Sequence, residues 1–277
     1  MENFDAKLAV ERVVDIVQKY YKQSKKLNDL NINKKERNDI VTSVDLFMER
    51  NIIAELSKYY PTHSFDAEES GETKIDKYGD FYEWIIDPID GTVNFAAGLP
   101  DFGVAVALQK NGETILGVNF LPKLGEIYTS IKGEGAFCNG QKLHVSTNKN
   151  LNDSMIFVYL GKHKGKEIVD TVKLIEKLTP LVRGVRIVGS SACVSSWVAS
   201  GKIDAIINLK STQSMGSTAG RLFITEAGGK VTNAIGKERQ KKDTMICSNG
   251  LIHDEVVKLV TSSILACEND EFNTEKY

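Results

Sequence analysis

The apolar positions change their period twice along the chain. From about Asp5 to Gln23, Leu8, Val13, Ile16, Val17 and Tyr20 recur near one face of a helix. The Asn- and Lys-rich stretch Asn28 to Asn38 has no apolar period and reads as a loop. A second helix, opening at Thr42 or Asp45, carries Leu46, Ile52, Ile53 and Leu56 and ends near Pro61. From Phe81 to about Val145 the period is that of strands. Phe102 to Leu108, Thr114 to Phe120, Gly125 to Ser130 and Ala136 to Cys138 are short apolar or alternating runs. Turn signals such as Asn111-Gly112 and Asn139-Gly140 separate them, which predicts a mostly antiparallel meander rather than a Rossmann sheet. After about Ser146 strands and helices alternate: strands at Met155 to Leu160, Val185 to Val188, Ile203 to Leu209 and Met245 to Cys247, helices at Glu167 to Leu178, Cys193 to Ser200, Thr218 to Ala227 and Asp254 to Ala266. The pattern gives an α/β (α+β) class in two parts, an α+β half over residues 1–145 and an α/β half over 146–277.

One run departs from these periods. Trp84-Ile85-Ile86 reads as the end of a buried strand, stopped by proline, and Asp87-Pro88-Ile89-Asp90-Gly91-Thr92 follows as a turn. The carboxyl end of a strand is where open α/β sheets place their chemistry. Asp87, Asp90 and the Ile89 carbonyl offer oxygens to a hard cation, and the amides of Gly91 and Thr92 face an anion. The same residues also make an Asx-Pro turn with a second Asp capping a helix. Two uncompensated carboxylates at the end of a buried strand are costly without a cation. A second acidic cluster, Asp66-Ala67-Glu68-Glu69-Ser70, lies upstream, with Glu68 19 residues before Asp87. That is room for a strand, a turn and a return strand, so Glu68 can join the same pocket. A run of acids is also the ordinary make-up of a solvated loop.

Composition narrows the function. In 277 residues the formal net charge is −2, with 42% hydrophobic and 26% charged residues. This is an ordinary globular balance with no basic field to draw nucleic acid or an anionic membrane. No apolar run approaches a membrane span, and Met1-Glu2-Asn3-Phe4-Asp5 is polar and acidic, unlike a signal peptide. Four cysteines without CxxC spacing read as reduced thiols of a cytoplasmic protein, and four scattered histidines form no ligand pair.

Gly189-Ser190-Ser191-Ala192 sits between a strand and a helix, where small residues admit a ligand to the helix N-terminus or simply form a tight turn with a serine cap. Together with Asp66 to Ser70, Trp84 to Phe95, Gly133 to Gly140 and Glu226-Ala227-Gly228-Gly229, it occurs in the order seen in inositol monophosphatases, and the chain resembles that superfamily over nearly its whole length. The superfamily also includes archaeal-type fructose-1,6-bisphosphatases and NADP(H) and nucleotide phosphatases. The resemblance implies a layered αβαβα sandwich and a Mg²⁺-dependent, lithium-sensitive phosphomonoesterase, often a homodimer. It implies metal ligation by Glu68, Asp87, the Ile89 carbonyl and Asp90. It implies that Thr92, oriented by Asp45, activates the attacking water with Glu68. Asp90 and the Gly91 and Thr92 amides match the phosphate site, and Gly189, Ser190 and Ser191 match substrate hydroxyl contacts. Lys34 falls where many members have a lysine near a mobile metal loop.

Two departures stand out. The family's Trp-Asp-x-Ala-Ala-Gly motif, aligned on Ala219-Gly220, places its metal-binding aspartate on Gly216, and no carboxylate occurs between Ala205 and Arg221. A one-metal or low-activity phosphatase, a site completed by another residue and a lost catalytic group are all open readings. Where inositol-selective members carry a glutamate, this chain has Asn208-Leu209-Lys210. The lysine suits a second phosphate or simply faces solvent. The leading expectation is a phosphatase of a small phosphorylated polyol or sugar, inositol-1-phosphate first, with fructose-1,6-bisphosphate or NADP as alternatives. The contrasting expectation is an impaired homologue that acts as a binding protein.

Overall fold

The structure, a computed structural model, describes residues 4–27, 31–36, 39–73, 81–160, 166–209, 215–238 and 244–270. The chain runs α1 (Ala6–Ser24), β1 (Ile32–Glu36), β2 (Asp39–Thr42), α2 (Ser43–Tyr59), β3 (Ser64–Ala67), β4 (Gly71–Thr73), β5 (Tyr82–Asp90) and α3 (Thr92–Ala96). The meander follows as β6 (Gly103–Lys110), β7 (Glu113–Leu121), β8 (Glu126–Ile131), β9 (Gly135–Cys138) and β10 (Gln141–Lys142). Then come β11 (Met155–Tyr159), α4 (Lys166–Leu178), β12 (Gly184–Arg186), α5 (Ser191–Ala199) and β13 (Ala205–Asn208). The last elements are α6 (Gly216–Glu226), β14 (Lys230–Thr232), β15 (Met245–Ser248) and α7 (His253–Asp270).

These elements pack as two units. The first comprises residues 1–143 with 189–196 and 214–226, so two short segments beyond residue 145 belong with it. Its sheet has eight strands in the order β10-β9-β8-β7-β6-β5-β3-β4, antiparallel except that β3 runs parallel to β5. Val13 and Val17 of α1 and Met48, Ile52 and Leu56 of α2 share a core with Trp84, Ile86, Val104, Val106 and Leu116 of the sheet. β5 and most of β6 are buried on both faces, which is why they read as continuous apolar runs instead of alternations.

The second unit comprises residues 144–188, 197–213 and 227–277. Its sheet runs β12-β11-β13-β15-β14, with β11 parallel to both β12 and β13 and the remaining pairs antiparallel. Leu174 and Leu178 of α4 and Val256 and Val260 of α7 share a core with Ile156, Val158, Ile207 and Ile246.

Two expectations need correction. Ile32–Glu36, read as part of a loop, is a strand paired antiparallel with β2. Ile32 and Asn33 are exposed and the strand is placed by its backbone pairing with β2, which leaves no apolar period to read in the sequence. Residues 28–30 and 37–38 lie outside the described residues. Secondly, Pro88 does not stop the strand: β5 continues to Asp90. Asp87 pairs with Ala105 and Asp90 with Gly103, so β5 spends one residue more than β6 between those partners. Proline has no N–H to give to the ladder, and a bulge is where a strand tolerates it.

Candidate active site

The bulge in β5 creates the site. In a regular strand, residues three apart point to opposite faces. One extra residue between Asp87 and Asp90 brings both carboxylates to the same side, where the charge of Asp90 acts on Asp87. Both are buried, at 4% and 7% exposure. Asp90 Oδ2 accepts from Ser190 Oγ and, at 2.7 Å, from the Ala192 amide. It thereby caps the N-terminus of α5, where a negative charge is favoured. Burial pushes the Asp90 carboxyl up to about 6 against the pull of those donors. Asp87 is less well provided: its Oδ1 is buried without a hydrogen-bond partner. Burial, then the charges of Glu68 and Asp90, push its carboxyl well above the usual range.

Glu68 begins the turn after β3, and its amide donates to the Ile86 carbonyl of β5 at 3.2 Å. The parallel pairing of Ala67 with Ile86 therefore delivers Glu68 to Asp87. Its side chain is exposed and lies within charge and hydrogen-bond range of Asp87.

Thr92 opens α3 directly after the bulge. Its hydroxyl lies 3.1 Å from Asp45 Oδ1 and 2.9 Å from the Ile89 carbonyl. A hydroxyl has one hydrogen, so it donates to one of these at a time and keeps lone pairs for another donor. Asp45 is 1% exposed, and burial raises its carboxyl above the ordinary value despite bonds from Thr42 and Thr92. Its Oδ2 accepts from the Thr42 amide at 3.0 Å and from the Thr42 hydroxyl, while Thr42 Oγ1 accepts from the Val44 and Asp45 amides. This is a capping box. Thr42-Ser43-Val44-Asp45 is its sequence signature, and it places Asp45 by helix-start chemistry that serves the site as well.

Gly91 has φ of 92°, a left-handed conformation that side chains resist, and no side chain caps the first amides of α3. Gly189 and Ser190 lie against Gly91: a Cβ there would stand 3.1 Å from Ser190 Cβ and 3.3 Å from the Gly189 carbonyl. Ser190 is fully buried and its hydroxyl is committed to Asp90, so it acts as a prop for that carboxylate. Ser191 is buried at the first position of α5. The Lys34 side chain and Lys210 lie outside the described residues.

Gly216, the first residue of α6, meets the two carboxylates directly. A Cβ on it would stand 2.4 Å from Asp90 Oδ1 and 3.0 Å from Asp87 Oδ2. The glycine thus removes a side chain and lets the helix backbone close on the carboxylate pair.

Hard oxygen donors, an orphaned buried carboxylate oxygen and like charges in mutual range fit a divalent cation. Among the described residues, no three His, Cys, Asp or Glu side chains stand close enough to enclose an ion. The described side chains thus offer a pair of buried carboxylates, with the exposed Glu68 within charge range of Asp87, and not a closed cage. Mg²⁺ suits such a set, because it keeps waters and substrate oxygens among its ligands.

The sequence model of the inositol monophosphatase family matches residues 1–265. A fructose-1,6-bisphosphatase/inositol-1-monophosphatase of Thermotoga maritima is 39% identical over 82% of this chain and 84% of its own. A Pasteurella multocida relative named Nus factor SuhB is 30% identical over 95% and 96%. A solved Thermotoga maritima IMPase superposes with a TM-score of 0.81 at 34% identity, covering 94% of this chain and 98% of that one. The chain belongs to the inositol monophosphatase family, a family of metal-dependent phosphatases, and it is a phosphoric monoester hydrolase.

Proposed function

We propose that the protein hydrolyses the phosphate ester of a small polyol or sugar, with inositol-1-phosphate as the leading substrate. Mg²⁺ would be held by Glu68, Asp87, Asp90 and the Ile89 carbonyl. The observation that carries this reading is the β5 bulge, which sets Asp87 and Asp90 side by side and starts α3 with Thr92 on Asp45. When bound, the cation offsets the dianionic charge of the ester and acidifies a coordinated water. The protein's own residues do the positioning. With its hydrogen held by Asp45 or the Ile89 carbonyl, the Thr92 hydroxyl accepts from the attacking water and aims it. Glu68, exposed beside Asp87, takes the proton that this water gives up as the P–O ester bond breaks, and the departing alcohol oxygen takes a proton from solvent. The uncapped amides at the start of α3 receive the phosphate oxygens. Gly189 and Ser191 border the leaving group, and Ser190 steadies Asp90. We propose lithium sensitivity, a cytoplasmic location and a homodimer on the strength of the family likeness.

A panel of inositol-1-phosphate, fructose-1,6-bisphosphate and NADP, assayed for phosphate release across Mg²⁺ concentrations, tests this reading. Release from inositol-1-phosphate that exceeds the other two supports the substrate assignment. Release from none at any Mg²⁺ concentration rejects the proposed substrate class. It would favour a binding role, which Gly216 and the relative named Nus factor SuhB make the second reading.

A further inference from the structure

We propose that Glu49 is a positioning residue that acts through Glu68 and sets the affinity of the site for its cation. Glu49 is 3% exposed and lies on α2, four residues after Asp45. Positions four apart share a helix face. A buried carboxylate is retained where its charge has partners. Here the partners are two consecutive amides of one turn: Oε2 accepts from Glu69 N at 2.8 Å and Oε1 from Ser70 N at 2.9 Å. The amide just before them, that of Glu68, is tied to the Ile86 carbonyl of β5. Three successive amides, 68 to 70, are thus fixed from two sides, by β5 and by α2.

The side chain that this turn carries is the exposed member of the acidic group. An exposed glutamate on an untethered turn loses backbone and side-chain freedom when it ligates an ion. A turn fixed in advance has already lost much of it, so binding is tighter. One face of α2 then serves two loops: Asp45 holds Thr92 after β5, and Glu49 holds the turn after β3. Their like charges on one helix face are a local disadvantage, and each carboxylate is offset by the donors it receives.

This inference rests on the proposed role of Glu68 as a ligand. The test uses the full chain with Glu49→Gln, Glu49→Asp, Glu68→Gln and the Glu49→Gln/Glu68→Gln double variant. Glutamine accepts one amide but sets its NH₂ against the other, and aspartate keeps the charge but is shorter. The readouts are the Mg²⁺ concentration that gives half of the Mg²⁺-induced rise in Tm, and the Mg²⁺ dependence of phosphate release. We expect the half-point to rise about tenfold or more in both Glu49 variants. We expect kcat at saturating Mg²⁺ to fall far less than that. The double variant should shift no further than Glu68→Gln alone, since both changes remove the same contribution. Folded Glu49 variants with a lower Tm but the wild-type half-point would overturn the proposal, and so would additive shifts in the double variant. If the wild type shows no Mg²⁺ response in either readout, the metal reading itself fails and this inference with it.

Discussion

Gly216 concentrates the energetics of the site in one residue. In a helix interior Gly→Ala ordinarily stabilises by about 1 kcal/mol, and a helix start has less to gain. Here the added methyl would meet the Asp90 carboxylate, which Ser190 and the Ala192 amide hold in place. Gly216→Ala is expected to destabilise by about 1–3 kcal/mol, the ordinary cost of overpacking, measured by urea unfolding without Mg²⁺. Gly216→Asp adds a further carboxylate beside Asp87 and Asp90 as well, so its metal-free form is weaker still. A cation would relieve that charge, and the Mg²⁺-induced rise in Tm should exceed that of the wild type. An equal or smaller rise would mean that position 216 does not reach the ion. The acids of the site were legible from the motif Asp87 to Thr92 and from Glu68. The direct contact of Gly216 with Asp90 was not, because the two are 126 positions apart and only tertiary packing joins them. Nor was the engagement of Ser190 by Asp90, which a turn-and-cap signature leaves undetermined.

At the scale of elements, hydrophobic period located nearly every helix and long strand, since α1, α2, α4 and α7 each bury one stripe and the meander strands are bounded by turn signals. It missed the β1–β2 ribbon and the short elements α3 and β14, which offer too few residues to show a period, and it ended β5 at Pro88, because a strand that passes through proline by bulging leaves no periodic trace. Helix starts carry their own chemistry. His253 opens α7 fully buried, its ring nitrogens 2.9 Å from Thr232 Oγ1 and 2.8 Å from Ser248 Oγ. Burial, reinforced by Lys230, lowers its pKa from 6.5 to about 4, and a positive charge at a helix N-terminus is disfavoured too. Between those values the unfolded chain binds the proton and the native one does not, so stability rises with pH. The contribution is complete above 6.5 and is lost as pH falls towards 4. His253→Gln is expected to flatten that slope in unfolding measured from pH 7 to 4; an unchanged slope would assign it to other groups.

At the scale of the whole molecule, the proposed catalytic and ligand residues all fall in the first unit, including Gly189 to Ser191 and Gly216 from the later part of the sequence. A division at residue 145 follows the two sheets but splits the site, because 189–196 and 214–226 return to pack with the first unit. Ligand binding stabilises what it contacts. Hydrogen exchange with and without Mg²⁺ should therefore show added protection in β5, the 68–70 turn and the starts of α3, α5 and α6. The β11 and β15 amides should change little. Uniform protection across both sheets would show that the units respond to the cation as one. No helix among the described residues is long and apolar enough to cross a membrane.

If the carboxylate pair that the β5 bulge brings together serves phosphate-ester hydrolysis, catalysis must depend on both its charge and the cation. The most direct measurement is kcat/KM for inositol-1-phosphate across a Mg²⁺ titration, in the wild type and in Asp90→Asn, with folding of both checked by unfolding. Release should depend on Mg²⁺ in the wild type and fall at least about a hundredfold in Asp90→Asn, the scale for loss of a charge-stabilising group. Release that is independent of Mg²⁺, or undiminished in folded Asp90→Asn, would show that this carboxylate pair does not carry the reaction.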